Sequence, residues 1–274
     1  MSDPVSAGVQ RLRDAGVDNP RLDARLLWEH AERIQRSALV AYDRRDYIFD
    51  KLIARRAARE PLAYITGHKE FWSLDFAVGP GCLIPRPDTE TLIEELTRIV
   101  PNRLLPLSML DLGTGSGCIL IASLKEYPNA RGVGIDSSSE ALAWAARNVA
   151  AHRLEDRIGL IETGWLEEAS PGFDVVLSNP PYIPTGDIIA LEPEVRDHEP
   201  RAALDGGPDG LDAYRALSTR ISHLVRPGGH AILEIGVGQA EAISGLLVRG
   251  NLQVLRTVKD LAGIPRAIVA QRNQ

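Results

Sequence analysis

The sequence predicts an α/β protein: a largely parallel sheet with helices on both faces, preceded by a smaller helical region. Three observations carry this. From residue 106 onward, short apolar runs alternate with helical stretches, as in repeated strand-helix units. Residues 1 to about 70 show helical periodicity only. Between them, residues 71–87 alternate in polarity and then turn, as a hairpin does. A chain of 274 residues is long for one domain and suits two of unequal size. We therefore expect a helical domain over 1–70, a hairpin linker over 71–87 and an α/β domain over 88–274.

Composition narrows the function classes. Hydrophobic residues make up 44% of the chain and charged residues 25%, without a long apolar span, so a full core is expected and a membrane partner is not. Met1-Ser2-Asp3-Pro4 has neither a basic nor an apolar export region. Cys82 and Cys118 form no spacing motif, which points to a reducing compartment, and no Cys/His cluster has metal-ligand spacing, so a metal is not expected. A net charge of −6 argues against tight, sequence-independent binding of duplex nucleic acid, although a local basic patch is compatible with it.

In chain order, Asn19-Pro20 signals a helix start. The helix that follows places Leu22, Leu26 and His30 on one side, with Leu27 adjoining. Asp43 is expected to cap a further helix that turns Ile48, Leu52 and Ile53 inward and ends before Pro61. Its other face carries Arg44, Arg45, Lys51, Arg55, Arg56 and Arg59. We read that stripe first as solvated, with a docking surface for an acidic or RNA-bearing partner as the alternative. Phe71 to Val78 alternates, Gly79-Pro80-Gly81 turns, and Cys82-Leu83-Ile84 runs into Pro85-Arg86-Pro87. Arg86 is expected to pair with Asp88 or Glu90, or to shape the mouth of a ligand pocket. Asp88-Thr89-Glu90-Thr91 begins a helix to about Ile99. Strands are expected at Ser108–Leu112, Arg131–Asp136, Ile158–Glu162, Phe173–Ser178, His230–Ile235, Leu252–Thr257 and Arg266–Ala270. Helices are expected near 118–127, 139–151, 209–225 and 238–249.

Right-handed crossovers bring the carboxyl ends of the parallel strands to one edge. Three motifs then converge. The first is Asp111-Leu112 followed by Gly113-Thr114-Gly115-Ser116-Gly117, whose glycines let the backbone turn tightly and approach a ligand. Its G-x-G-x-G spacing departs from the dinucleotide fingerprint, with Cys118 where the last glycine would fall, which disfavours a pyrophosphate on the helix N-terminus. The second is Asp136, about twenty residues on, placed to accept hydrogen bonds from ribose hydroxyls. A helix cap is its bland alternative, in competition with Ser137 to Ser139. The third is Asn179-Pro180-Pro181-Tyr182. The Asn179 side-chain oxygen and the Pro180 carbonyl can accept both hydrogens of a planar –NH2 group while Tyr182 covers its face. This is a site for a substrate nitrogen. Trp165 stands either beside an adenine edge or in the core.

Together these motifs resemble S-adenosylmethionine-dependent methyltransferases of the Rossmann-like class that methylate planar nitrogens. Arg21-Leu22-Asp23-Ala24, Pro61 to Gly67, Leu83 to Glu90, Glu199 to Gly207 and Glu234-Ile235-Gly236 are similar to the HemK/PrmC family, the release factor glutamine N5-methyltransferases. Asp88, where the family often has Glu, and Trp72, where Tyr is frequent, are minor departures. The resemblance implies a sheet whose last strand is antiparallel. It also implies methylation of the glutamine in the Gly-Gly-Gln loop of peptide chain release factors, with S-adenosylhomocysteine as product. Gly113 to Gly117, Asp136 and Trp165 would bind the cofactor, joined by Asn179, and Asn179, Pro180, Pro181 and Tyr182 the glutamine. The N-terminal helices would help grip the release factor. A cytoplasmic monomer without metal or stable nucleic acid completes the expectation.

The Asn-Pro-Pro-Tyr element is shared with DNA and RNA exocyclic-amino methyltransferases, which form the first rival. They would need a basic groove and a target-recognition region, for which only the helical N-terminus offers a candidate. A nicotinamide oxidoreductase is a second rival, disfavoured by the loop spacing. A relic that docks on release factors without catalysis is a third, disfavoured by intact Asn179 and Asp136.

Overall fold

The computed structural model describes residues 3–37, 44–163, 171–260 and 263–274. The elements run α1 Pro4–Asp14, α2 Pro20–Ser37, α3 Arg45–Ala57, α4 Leu62–Thr66, β1 His68–Phe71, β2 Leu74–Ala77, α5 Glu90–Ile99, β3 Ser108–Leu112, α6 Cys118–Glu126, β4 Arg131–Asp136, α7 Ser139–Ala151, β5 Ile158–Glu162 and β6 Phe173–Ser178. Then follow α8 Pro193–His198, α9 Asp212–Ser218, α10 Ile221–Leu224, β7 Val225–Glu234, α11 Ala240–Arg249, β8 Leu252–Lys259 and β9 Pro265–Arg272. Two compact units result: residues 1–68 with 192–198, and residues 69–191 with 199–274.

The seven-stranded sheet of the larger unit has the order β5-β4-β3-β6-β7-β9-β8. Neighbours from β5 to β7 pair in parallel, and β9 pairs antiparallel with both β7 and β8. The last strand is therefore the antiparallel one, as expected. Side chains alternate between two cores. Met109, Val175, Leu177, Ile232 and Val269 face α5, α6 and the β1-β2 hairpin, while Leu110, Val176, Leu233 and Ile268 face α9, α10 and α11.

Several local expectations need correction. The hairpin reverses at Trp72-Ser73, not at Gly79-Pro80-Gly81. Both residues have positive φ, 52° and 58°, as a tight two-residue turn matched to strand twist requires. The single helix expected over 209–225 is two short ones, α9 and α10, interrupted at Thr219-Arg220. Strand β7 begins at Val225 rather than His230. Its register against β6 shifts between Phe173 and Val175, where Pro227 lacks an N–H for the ladder and Gly228 takes φ of 74°.

In the smaller unit, Leu12, Ala24, Leu27, Ala31, Phe49, Leu52 and Ile53 form the core. The inward stripe of α2 thus runs through Ala24, Leu27 and Ala31, and Leu22, expected inside, is exposed. The predicted cap at Asp43 lies outside the described residues. The arginine stripe is not simply solvated either. Arg56 is buried, its Nε 2.7 Å from Asp23 Oδ2 and its Nη1 2.6 Å from Glu194 Oε1. Arg59 donates to the same carboxylate at 2.8 and 2.5 Å, and Arg55 pairs with Glu60. The acidic partners of Arg56 lie 33 and 138 residues away in sequence, beyond the reach of helical spacing.

Candidate active site

Strand β3 lies between β4 and β6, and the register aligns Leu112 with Ile135 on one side and with Ser178 on the other. The residues that follow these three, Gly113, Asp136 and Asn179, therefore leave adjacent parallel strands at the same edge. Chain order reverses there, from β3 toward β4 on one side and toward β6 on the other, so the crevice is the usual ligand position of such a sheet. It encloses about 1010 Å³ counting its open mouth, within the range of a nucleoside-bearing ligand.

The glycine-rich loop is pinned from below. The Gly113 and Thr114 N–H groups both donate to the Ile135 carbonyl, at 2.8 and 2.9 Å. The Thr114 hydroxyl donates to Asp111 Oδ2 at 2.7 Å. Gly113, Gly115 and Gly117 have φ of 72°, 56° and 80°, a left-handed path that side chains other than glycine rarely follow. At Gly115 the backbone faces open space.

Asp136 closes the loop's other side. Its Oδ2 accepts from Gly115 N and its Oδ1 from Ser138 N, each at 2.9 Å. Capping of α7 falls to Ser138, whose hydroxyl accepts from Ala141 N. A carboxylate has about four lone-pair positions, so Asp136 keeps acceptor capacity directed at the cavity it lines. Ile135, Ala141, Leu83 and Ile84 supply apolar walls.

From the Asn-Pro-Pro-Tyr turn, Asn179 and Pro181 reach the cavity. Pro180 is buried, and the half-buried Tyr182 packs against the core on the α9–α11 side. The Tyr182 phenol donates to Glu234 Oε1 at 3.2 Å, and burial together with that carboxyl pushes its pKa up, so it remains a neutral donor. The turn's main chain is held by Gln239, whose Nε2 donates to the Tyr182 carbonyl at 2.9 Å. Ser178 completes the anchorage, its hydroxyl donating to the Leu112 carbonyl at 2.7 Å. Thr114 and Ser116 are buried in the loop and line the same cavity. Trp165 lies outside the described residues.

Arg86 pairs with Glu199 rather than with Asp88 or Glu90. Asp88 sits 3.0 Å from Arg266, and Glu90 accepts from Trp72 N, so neither is available. Glu199 also accepts from Ile84 N at 3.1 Å, and this fixes the wall that Leu83 to Arg86 contribute. Burial raises both thiols, Cys118 to about 12, so neither is a nucleophile at neutral pH. Among the described residues no cluster of His, Cys, Asp or Glu could hold a metal ion, and no helix is long and apolar enough to cross a membrane.

Four residues with structural work at the site were not among the candidates from sequence: Thr89, Asn148, Glu199 and Glu234. Asn148, fully buried on α7, donates to the Ser116 and Ala77 carbonyls at 2.9 and 3.0 Å and accepts from Ala77 N at 2.7 Å. Its signal is a polar residue within the apolar stripe Ala141, Ala145, Val149. Glu234 is likewise a carboxyl group in an apolar strand.

Comparisons with known proteins match both parts of the chain. A model of the PrmC N-terminal domain matches residues 5–67, and one of the methyltransferase small domain matches residues 87–190. A release factor glutamine methyltransferase from Caulobacter vibrioides is 45% identical, covering 98% of this chain and 95% of the relative. Another, from Geobacter sulfurreducens, is 43% identical over 94% and 91%. Among solved structures, a methyltransferase from Pyrococcus furiosus has a TM-score of 0.55 at 17% identity, covering 81% of this chain and 98% of that one, a likeness of fold. With such identity along nearly the whole of both chains, this protein belongs to the release factor glutamine methyltransferase family.

Proposed function

We propose that the chain transfers a methyl group from S-adenosylmethionine to the side-chain amide nitrogen of the glutamine in the Gly-Gly-Gln motif of peptide chain release factors, in the cytoplasm. The observation that carries this reading is the shared cavity: Asp136 with the glycine loop on one side, Asn179 on the other, at neighbouring strand ends. The residues present suit the methyl donor. Asp136 is assigned to its ribose hydroxyls, the backbone of Gly113 to Gly117 to close approach, and Ile135, Leu83 and Ala141 to the faces of a flat base. Trp165 is assigned to the same pocket.

S-adenosylmethionine supplies an activated methyl group on a sulfonium. The remaining task belongs to the protein, because an amide nitrogen is a poor nucleophile whose lone pair is delocalised into its carbonyl. We assign to the Asn179 side-chain oxygen and the Pro180 carbonyl the role of accepting the two N–H groups of the substrate amide. As positive charge develops on nitrogen, these acceptors strengthen, which is differential stabilisation of the transition state. Pro181 stiffens the turn, and Tyr182, anchored on Glu234, limits the plane the amide can adopt. No His or Glu lines the cavity among the described residues, so the proton is assigned to solvent after transfer. The helical unit of residues 1–68 is assigned to gripping the release factor.

Mass spectrometry of the Gly-Gly-Gln peptide, after incubating release factor with enzyme and S-adenosylmethionine, tests the reading. A gain of one methyl on glutamine is expected, with DNA and RNA left unmodified in parallel. An unmodified peptide, or a methylated nucleic acid, would overturn it. Asn179→Ala should lower kcat by ~10²–10³, by analogy with loss of an oxyanion-hole donor, while cofactor affinity falls only modestly in a calorimetric titration.

A further inference from the structure

We propose that Thr89 is a positioning residue that fixes which end of the Asn179 side-chain amide faces the substrate. The inference rests on the reading above, in which Asn179 must present an oxygen to an –NH2 group. The two ends of an asparagine amide are nearly the same size and opposite in hydrogen-bonding character. Presented the wrong way round, Asn179 would offer two donors to a substrate that itself only donates there.

The geometry shows what selects the orientation. Asn179 Nδ2 donates to Thr89 Oγ1 at 3.2 Å. Thr89 ends the 3₁₀ turn Pro87–Thr89, is 3% exposed, and lines the cavity. It precedes α5 in the capping position, yet its side chain makes no capping hydrogen bond. Its hydroxyl is therefore not serving the helix end, the ordinary use of threonine at such a place.

A hydroxyl that accepts from Asn179 has one proton left to donate. Beside it stands the Glu234 carboxyl, 1% exposed, whose pKa burial pushes up to about 7 and whose charged form the Thr89 hydroxyl favours. Glu234 Oε1 already accepts from Tyr182, and the buried Oε2 accepts no hydrogen bond among the described residues. In its charged form Glu234 can only accept, so at pH above about 7 polarity is imposed from Glu234 outward. Thr89 donates toward the carboxylate, its oxygen accepts from Asn179 Nδ2, and Asn179 Oδ1 is left for the substrate. Both residues come from segments outside the Asn-Pro-Pro-Tyr turn, which by itself leaves the amide free to rotate.

The test compares Thr89→Val, which keeps the shape and removes the hydroxyl, with Thr89→Ser, which keeps the hydroxyl. Thr89→Val should lower kcat by ~10- to 100-fold, the order expected for one buried orienting hydrogen bond. KM for the release factor and the dissociation constant for S-adenosylmethionine should each stay within about threefold. Thr89→Ser should restore most of kcat. Independently of turnover, the Asn179 side-chain N–H resonances, assigned by their loss in Asn179→Asp, should be sharp in the wild type. In Thr89→Val they should broaden through flipping. Wild-type kcat in Thr89→Val, equal losses in Val and Ser, or an unchanged Asn179 resonance would overturn the proposal. If the wild type methylates no release factor, the functional reading fails instead, and the resonance experiment still decides the role of Thr89.

Discussion

Asp111 is fully buried beneath the glycine-rich loop, and burial raises its pKa to about 7 despite the hydrogen bond from Thr114. In the unfolded chain this carboxyl loses its proton near 3.8, whereas in the folded protein it keeps it to about 7. Between those values the unfolded state binds fewer protons, so stability falls as pH rises, and the cost is complete above about 7. Across that window the cost is on the order of 4 kcal/mol. Urea denaturation between pH 5 and pH 8 should therefore show Asp111→Asn gaining on the wild type as pH increases; parallel curves would contradict the assignment. At this scale the sequence was legible for residues whose role follows from position at a strand end. Asp136, Gly115 and Asn179 could be placed by counting. Asn148 could not, because its partners Ala77 and Ser116 are 71 and 32 residues away, and nothing in the local pattern of α7 names them.

Among the elements, the wall formed by Leu83 to Arg86 depends on a carboxylate more than a hundred residues downstream. Glu199 accepts from Ile84 N and from Arg86, and the chain continues directly into Pro200, Ala202 and Ala203, which line the same cavity. One side chain thus ties two wall segments together. Glu199→Ala leaves the Ile84 N–H unsatisfied and the Arg86 guanidinium unpaired. We expect the dissociation constant for S-adenosylmethionine to rise at least ~10-fold, equivalent to one lost charged hydrogen bond of about 1.5 kcal/mol. Isothermal titration checks this, and an unchanged value would detach the wall from the site. The strands and long helices were readable from alternation and apolar spacing, since their burial is periodic. The hairpin was placed several residues late because Trp72-Ser73 adopts positive φ without the glycine or asparagine that ordinarily marks such a turn. The pairing of Arg86 was missed because its obvious neighbours, Asp88 and Glu90, are engaged elsewhere.

For the whole molecule, the smaller unit is discontinuous in sequence, with residues 192–198 folded among residues 1–68. Its internal ion pairs explain why. Glu194 accepts from Arg56 and Arg59, and Arg56, with side-chain exposure of only 9%, also holds Asp23. Removing one partner of a buried cation leaves charge uncompensated. Glu194→Ala should destabilise this unit by about 3 kcal/mol, read as earlier amide exchange in α2 and α3 than in the sheet. Uniform exchange would show the pair to be dispensable. Helical character over the first part of the chain was evident from periodicity, but no pattern within residues 1–68 shows that a short acidic stretch from far downstream belongs with it. The consequence falls on anyone who would transplant this unit between homologues: a graft cut at residue 68 carries Arg56 and Arg59 and abandons Glu194, the carboxylate they share. A functional chimera must exchange two stretches of sequence at once.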